Sequence, residues 1–134
     1  MTIQEQIDRF LSAEAFGVAG ASANKEKYGN KVLRCYLQNG RRAIPVNPNE
    51  SMIEGMECAT AITDLPAEAK SLSMITPPAV TDQLVPLAIA HGIENIWMQP
   101  GAESSAAVEL CRQHNVNVIA DGSCVLVVMG YHDH

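Results

Sequence analysis

The sequence predicts an α/β fold: a Rossmann-like, doubly wound and mainly parallel sheet of five or six strands, with helices on both faces. Short apolar runs alternate with helical patterns along most of the chain, and this alternation is typical of βαβ units. The chain has 134 residues, the usual size of one domain, so we expect 1–134 to form a single unit. Right-handed crossovers leave such a chain few possible strand orders.

Five short apolar segments are the predicted strands. They cover residues 16–19, 43–46, 72–75, 95–98 and 116–120. A sixth strand, short and at an edge, is expected near 58–61, where the pattern is weaker.

The helices are predicted from their periodicity and from their end signals. The first covers about 2–13, because Thr2 and Glu5 have the spacing of a capping box and apolar residues then repeat on one face. Further helices are expected over 30–39, from Pro78 to about Ala90, and over 104–114. Proline suits a first helical turn because its missing N–H has no intrahelical partner there.

The carboxyl ends of the predicted strands form the candidate ligand site. In a doubly wound sheet, ligands bind beyond these ends, at the point where the strand order reverses. Here the ends carry small, proline or amide residues and no large apolar group: GAS at 20–22, NPN at 47–49, TPP at 76–78 and QPG at 99–101. One rim of the sheet is therefore expected to hold a ligand.

The loop after the first strand lies within FGVAGASANKEKYGNKV, residues 16–32. Gly20 allows a close backbone approach, Ser22 offers a hydroxyl, and the helix that follows presents free N–H groups to a phosphate. The dinucleotide pattern G-x-G-x-x-G and the Walker pattern are both absent. The loop alone therefore fits a phosphate cradle or an ordinary tight turn.

The charge distribution favours an anionic ligand. The net charge of −6 argues against general nucleic-acid binding. Six of the nine basic residues nevertheless lie between positions 25 and 42: Lys25, Lys27, Lys31, Arg34, Arg41 and Arg42. The alternative is a solvated helix face whose charges happen to agree in sign.

Several segments occur in an order that points to a known family: GAS at 20–22, Gly29, PVNP at 45–48, TPP at 76–78 and WMQPG at 97–101. With these segments the sequence resembles the CoA-binding domain family, small stand-alone proteins similar to the N-terminal domain of the succinyl-CoA synthetase alpha subunit. The resemblance extends from about Ala15 to Cys124. It implies a Rossmann-like fold that binds coenzyme A along the strand ends.

The resemblance also implies which residues contact which part of coenzyme A. Gly20, Ala21 and Ser22 correspond to the pyrophosphate loop. Lys25 and Tyr28, just before Gly29, are expected to close over the phosphates or the ribose. The remaining implied contacts are Asn47, Pro48 and Asn49 for the adenosine end, Thr76, Pro77 and Pro78 for the pantetheine arm, and Met98 with Gln99 near the thiol.

The chain departs from the family at one position that matters for the 3′-phosphate. Glu50 stands where the synthetases have a lysine. Recognition of that phosphate is therefore expected from Arg41, Arg42 or Lys25. The C-terminal segment VLVVMGYHDH also differs from the more charged ending of the family.

The cysteines and the terminal histidines are not expected to form a metal site. The four cysteines show no CxxC pair, so reduced thiols in a cytoplasmic protein are the simplest interpretation. Cys124 lies near Asp121, but the sequence shows no neighbouring base or positive charge, so a structural thiol is favoured over a nucleophile. For His132, Asp133 and His134, a frayed terminus is favoured over a metal site.

The sequence therefore favours a cytoplasmic module that binds coenzyme A or acyl-CoA and carries no catalytic group of its own. Two alternatives stay open: an NAD(P)-dependent enzyme on the same fold, and a regulatory interaction protein that has lost the ligand. An acid to hold a ribose 2′-OH is absent after the second strand, which disfavours NAD. Nucleic-acid and membrane partners are not expected, whereas a partner protein or a homo-oligomer is compatible with the sequence.

Overall fold

Seven strands and five helices are present in the computed structural model of the chain, which describes residues 1–133. In chain order the strands are β1 (Ala15–Ala19), β2 (Arg42–Val46), β3 (Met52–Ile53), β4 (Met56–Glu57), β5 (Ala69–Met74), β6 (Asn95–Met98) and β7 (Asn117–Ile119). The helices are α1 (Ile3–Leu11), α2 (Tyr28–Gln38), α3 (Pro78–His91), α4 (Ser105–Gln113) and α5 (Val125–Met129), with a 3₁₀ turn at Ile62–Asp64.

The main sheet has five parallel strands in the order β2-β1-β5-β6-β7. The chain first moves outward from β1 to β2 and then crosses back to β5 on the other side of β1. The strand order therefore reverses between β1 and β5, and the predicted Rossmann-like architecture is confirmed. The predicted neighbours 72–75 and 95–98 are the paired strands β5 and β6.

The predicted sixth strand near 58–61 is not a strand of this sheet. A single parallel bridge joins Val46 to Ala59, and β3 and β4 form a separate antiparallel hairpin just before it. β5 begins at Ala69, earlier than predicted. Lys70 interrupts the apolar run there, and its half-buried side chain is accommodated at the strand's amino end.

Helices cover both faces of the sheet. One face carries α1, α2 and α5, whose apolar residues pack with Phe16, Trp97 and Ile119 of the strands. The other carries α3 and α4, which pack over Leu72 and Met98. The predicted capping box begins α1, and the predicted proline lies in the first turn of α3.

An aromatic cluster fastens α1 and α2 to the sheet. Phe10 meets Trp97 edge-on at 5.3 Å between ring centroids, and Phe16 stacks on Tyr36 at 4.8 Å. The Tyr36 hydroxyl is 2.6 Å from Ser73 Oγ, so the buried phenol is hydrogen-bonded. These ring contacts fix α1 and the C-terminal turn of α2 against the sheet.

The C-terminal segment is attached to α2, so a frayed end is the wrong description of residues 132 and 133. Gln38 donates to the carbonyl of His132 at 2.7 Å and accepts from its N–H at 3.0 Å. Asp133 lies 3.5 Å from both Lys31 and Arg34. The last residue, His134, lies outside the described residues.

Two properties of residues 1–133 concern membranes and metal ions. None of the helices there combines the length and apolar character that crossing a membrane requires. The same residues contain no cluster of three or more histidine, cysteine or acidic side chains suited to a metal ion.

Candidate functional site

Two glycines bring the end of β1, the end of β5 and the start of α2 into direct contact. Gly20 has φ +91°, and a Cβ placed there would lie 2.0 Å from the carbonyl oxygen of Ile75. A Cβ on Gly29 would lie 2.0 Å from the carbonyl oxygen of Gly20. Gly20 is therefore required by the protein's own backbone, in addition to any close approach of a ligand.

Side chains of α2 hold the loop between Gly20 and Tyr28. Asn30, which is fully buried, donates to the carbonyl of Ser22 at 2.8 Å and accepts from Arg34 Nε at 2.7 Å. Arg34 also donates to the carbonyl of Lys25 at 2.8 Å. The loop is thus preorganised by its own helix, which lowers the entropic cost of holding a ligand there.

The start of α2 has the properties of an anion site. Its N-cap residue, Lys27, makes no side-chain capping bond, and its first turn has no acidic residue. Free N–H groups and a partial positive charge therefore point toward the loop. The Ser22 hydroxyl accepts from Asn24 N–H at 3.1 Å and keeps its own hydrogen for donation. This loop can hold a phosphate group.

A cavity of about 370 Å³ lies beside the loop, under α3. It is lined by Ala19, Gly20, Ala21, Val46, Asn47, Pro48, Thr60, Ala61, Ile62, Thr63, Thr76, Val80, Leu84 and Leu87. Most of these side chains are apolar, which suits a flat ring or an alkyl arm. The cavity lies at the ends of β1, β2 and β5, where the strand order reverses.

Thr76 presents its oxygen to this cavity as an acceptor. Its hydroxyl is 2.7 Å from that of Thr81, and the Thr81 hydroxyl donates to the carbonyl of Ala102 at 2.9 Å. Either hydroxyl of the pair can be the donor, but when the Thr81 hydrogen goes to the carbonyl of Ala102, or to that of Pro77 at 3.3 Å, Thr76 donates to Thr81. What remains for a ligand is a lone pair that can accept from an amide or amino N–H.

Asn47 joins two loops of the rim. Its Nδ2 donates to the carbonyl of Ala21 at 3.0 Å, while its Oδ1 accepts from the N–H groups of Asn49 and Glu50 at 2.7 Å and 3.0 Å. With both ends of the amide engaged, Asn47 positions the phosphate loop against the end of β2.

A second polar cluster lies on the other side of the loop. The Tyr28 hydroxyl is 2.5 Å from Cys124 Sγ and 3.2 Å from Gln99 Oε1. Gln99 Oε1 also accepts from Val125 N–H at 2.9 Å. Burial is the main cause that raises the pKa of Tyr28, so its hydroxyl keeps its proton at neutral pH.

Comparison with known proteins agrees with this geometry. The sequence model of the family described as CoA binding domain matches residues 14–129. This range contains all five strands of the main sheet and the segments that connect them. The chain belongs to the CoA-binding domain family. Helix α1 lies before the matched residues, so the family portion begins just ahead of β1.

Three solved structures are similar to this CoA-binding domain. A conserved hypothetical protein from Pyrococcus furiosus is 34% identical, with 86% of this chain and 98% of that chain covered and a TM-score of 0.81. A hypothetical protein from Pyrococcus horikoshii OT3 shares the fold at 22% identity, with 95% and 89% covered and a TM-score of 0.87.

The third structure is a larger enzyme. It is a dinucleotide-forming acetyl-coenzyme A synthetase 1 from Ca. Korarchaeum cryptofilum, solved in complex with phosphate and ADP. It is 20% identical, with 87% of this chain but only 27% of that chain covered and a TM-score of 0.77. At this identity the likeness concerns the fold, which one part of the synthetase shares with the CoA-binding domain.

Five of the residues singled out in the sequence line the cavity of the CoA-binding domain: Gly20, Ala21, Asn47, Pro48 and Thr76. Asn49, Pro77 and Pro78 are exposed on the same rim, outside the cavity. Met98 is fully buried in the core under α3 and α4, so its side chain is not exposed at the rim, and a contact of Met98 with coenzyme A stays a prediction. Gln99, predicted with it near the thiol, directly follows β6 and is also fully buried.

Arg41 and Arg42 lie at the wrong end of the sheet for the predicted 3′-phosphate contact. They precede and begin β2, whose carboxyl end carries Asn47. The guanidinium of Arg41 lies 5.0 Å from the ring centroid of Phe16 and bonds the carbonyl of Leu11. Arg42 pairs with Glu68 at 3.0 Å. Of the three predicted candidates, Lys25 alone lies at the loop.

The basic cluster is therefore divided, and part of it is neutralised. Lys25, Lys31 and Arg34 line a surface cavity of about 420 Å³ together with Glu26, Glu54 and Asp133. The ion pairs of Asp133 occupy Lys31 and Arg34. The three acidic residues of this cavity equal its three basic residues in number. The local charge therefore favours anion binding less strongly than the sequence indicated.

Sequence reasoning missed the walls of the cavity. Thr60, Ile62 and Thr63 reach it from the irregular segment after β4, where no periodicity marks them. Leu84 and Leu87 come from α3, and Leu87 is 49% exposed although it is large and apolar. The only available signal was the spacing of Val80, Leu84 and Leu87, which places them on one helical face.

Proposed function

We propose that this chain binds coenzyme A or acyl-CoA at the loop and cavity described above. The observation that supports this best is that five rim residues from three strand ends surround one apolar cavity directly beside a free helix N-terminus, in a member of the CoA-binding domain family. Coenzyme A combines anionic phosphates with an apolar arm and a base. The helix N-terminus suits the anionic phosphates, and the apolar cavity suits the arm or the base.

In this proposal the phosphates lie against the N–H groups at the start of α2, with Ser22 and Lys25 at their sides. The cavity takes an apolar portion of the ligand, and Thr76 accepts one hydrogen bond from it. Asn47 keeps the loop in place. A cytoplasmic setting belongs to the same proposal, and it is supported by four cysteines that are unpaired among residues 1–133.

Isothermal titration under reducing conditions tests the proposal. The full chain is titrated with CoA, acetyl-CoA, NAD, NADP and ATP in the same buffer. We expect CoA and acetyl-CoA to bind more than about tenfold tighter than the other three, because only they add the pantetheine arm. Tighter binding of NADP or ATP would overturn the proposal in favour of another nucleotide, and no binding by any of the five would overturn it outright.

The division of the basic cluster gives a second prediction. Lys25→Gln should weaken CoA binding by about 1–2 kcal/mol, since one charge-assisted phosphate contact is lost. Arg42→Gln is the matched control: it removes one positive charge at the opposite end of the sheet, where Arg42 pairs with Glu68, and should leave the affinity unchanged. Titrations at low and high salt should show the difference shrinking as salt rises. Equal losses in both variants would indicate a general charge effect in place of a contact.

A further inference from the structure

The cluster of Tyr28, Gln99 and Cys124 contains a buried donor without a partner. Gln99 is fully buried, and its Nε2 has no hydrogen-bond partner among the residues that the structure describes. The amide cannot be turned over to correct this, because Oε1 accepts from the N–H of Val125 at 2.9 Å. A buried N–H group without a hydrogen bond lowers the stability of the fold, so its presence in a native protein calls for an explanation.

The same amide group is held against a cysteine. The Tyr28 hydroxyl links Gln99 Oε1, at 3.2 Å, to Cys124 Sγ, at 2.5 Å. Cys124 and Tyr28 are half-buried, so the cluster borders solvent. A thiol, a phenol and the side-chain amide of Gln99 thus form one cluster beside the phosphate loop, since Tyr28 is the first residue of α2.

We propose that Cys124 is a redox-active thiol that forms a mixed disulfide with coenzyme A by exchange with a CoA-containing disulfide, and that Gln99 Nε2 donates to a carbonyl oxygen of the same ligand. The inference rests on the proposed function and deepens it, because it assigns the reactive end of the ligand. The arm of coenzyme A carries two amide carbonyls and ends in a thiol, so one bound arm supplies both an acceptor for Gln99 and a partner for Cys124.

The layout of the rim allows such a ligand to reach the cluster. The phosphate loop follows β1. The apolar cavity lies on one side of it, toward β2 and α3. The cluster of Tyr28, Gln99 and Cys124 lies on the other side, on the face of the sheet that carries α2 and α5. Gln99 follows β6, two strands from β1 in the sheet order. Strands are about 4.8 Å apart, so the distance along the rim is roughly 10 Å. An extended arm covers that distance, and the base remains at the other end.

The reaction is thiol–disulfide exchange with a CoA-containing disulfide as co-reactant. The Cys124 thiolate attacks one sulfur of CoA disulfide, a new S–S bond forms, and the old S–S bond breaks. One CoA leaves as a thiolate and takes up the proton that Cys124 lost, so no further oxidant is needed. The Tyr28 hydroxyl donates to Gln99 Oε1 while Cys124 is a thiol, and it can turn the same hydrogen to the Cys124 thiolate before the attack.

The other cysteines lack these features. Cys35 and Cys111 are fully buried, and burial raises the pKa of each to about 11. Cys58 is half-buried like Cys124, but burial and the nearby Glu50 raise the pKa of its thiol. Cys58 therefore serves as the control for the effect of solvent exposure alone on the reactivity of a thiol.

The test uses the full chain, reduced and then freed of reductant. It is incubated with CoA disulfide or with glutathione disulfide at equal concentration, and the products are followed by intact mass and peptide mapping. We expect a single CoA adduct on Cys124, formed about tenfold or more faster than the glutathione adduct, because binding raises the effective concentration. Excess acetyl-CoA, which has no free thiol, should slow the reaction by occupying the site.

Three variants refine the assignment. Cys124→Ser should abolish the adduct, whereas Cys58→Ser should leave its rate unchanged. Tyr28→Phe keeps the ring and removes only the hydroxyl, so it should slow the reaction several-fold without preventing it. Circular dichroism of each variant reports whether it is folded.

The outcomes separate this inference from the proposed function. If reduced CoA binds the wild-type chain in calorimetry but CoA disulfide leaves Cys124 unmodified, the inference is overturned and CoA binding stands. If Cys124 reacts equally fast with both disulfides, the selectivity that defines the proposal is absent and the inference is overturned. If, in addition, reduced CoA does not bind, the proposed function fails as well.

Discussion

Replacing Gly20 by alanine should lower the free energy of unfolding by more than about 3 kcal/mol. The added Cβ would lie 2.0 Å from the carbonyl oxygen of Ile75, which is a backbone atom directly after β5, beside the end of β1. The left-handed φ of +91° adds a further cost of about 1 kcal/mol for a residue with a side chain. Relief requires β1 and β5 to separate, so the loop should lose its position and CoA binding with it.

Gly40→Ala is the matched control for this prediction. Gly40 also has a positive φ, +70°, but a Cβ there would meet nothing within 4 Å. Its replacement should cost only about 1 kcal/mol, which measures the conformational part alone. Urea unfolding followed by the fluorescence of Trp97, the one tryptophan of the chain, gives both values. If the two variants were equally stable, the contact between Gly20 and Ile75 would not be what requires glycine there.

The fold was predictable because its signals are local. Short apolar runs mark strands buried on both faces, and Thr2 with Glu5 marked the first helix through a capping box that the structure contains. The segment between β2 and β5 was not predictable in the same way. The single bridge at Ala59 is fixed by backbone hydrogen bonds with Pro45 and Asn47, and the two-residue strands of the hairpin are too short to show a period.

The candidate site was predictable only where sequence position fixes spatial position. Residues that directly follow parallel strands must share one rim, so Gly20, Asn47 and Thr76 were found together. Arg41 was expected near the phosphates because it is close to Lys25 in sequence. It directly precedes β2, however, and therefore lies at the opposite rim of the sheet. Charge counted along the chain cannot separate these two ends.

The burial of Met98 could not be predicted from the sequence for a related reason. Successive residues of a strand point to opposite faces of the sheet, and Met98 is the last residue of β6, where it points into the core under α3 and α4. A shift of one residue distinguishes a core side chain from a rim side chain. Gln99 is past the strand, and its contacts with Tyr28 and Val125 depend on where α2 and α5 pack. Packing of that kind is not encoded in any local pattern.

The largest effect on binding is expected from filling the cavity. Ala61 is exposed and lines the cavity, opposite the apolar residues of α3. Ala61→Trp should place a ring in much of the cavity's volume of about 370 Å³ and exclude the ligand portion that we assign to it. We expect CoA affinity to fall by more than about 100-fold, or about 2.7 kcal/mol, while the free energy of unfolding changes by less than about 1 kcal/mol because the site is at the surface.

Ala67→Trp is the matched control, since it adds the same side chain to an exposed alanine six positions away. Ala67 precedes β5 at the amino end of the sheet, far from the cavity, so affinity should be that of the wild type. Calorimetric titration with CoA, with thermal unfolding as the measure of stability, compares the two. Ser22 and the start of α2 are untouched in both variants, so a weak residual affinity of Ala61→Trp for inorganic pyrophosphate would identify the phosphate loop as an independent part of the site. Unchanged CoA binding by a folded Ala61→Trp chain would instead mean that the ligand does not use this cavity.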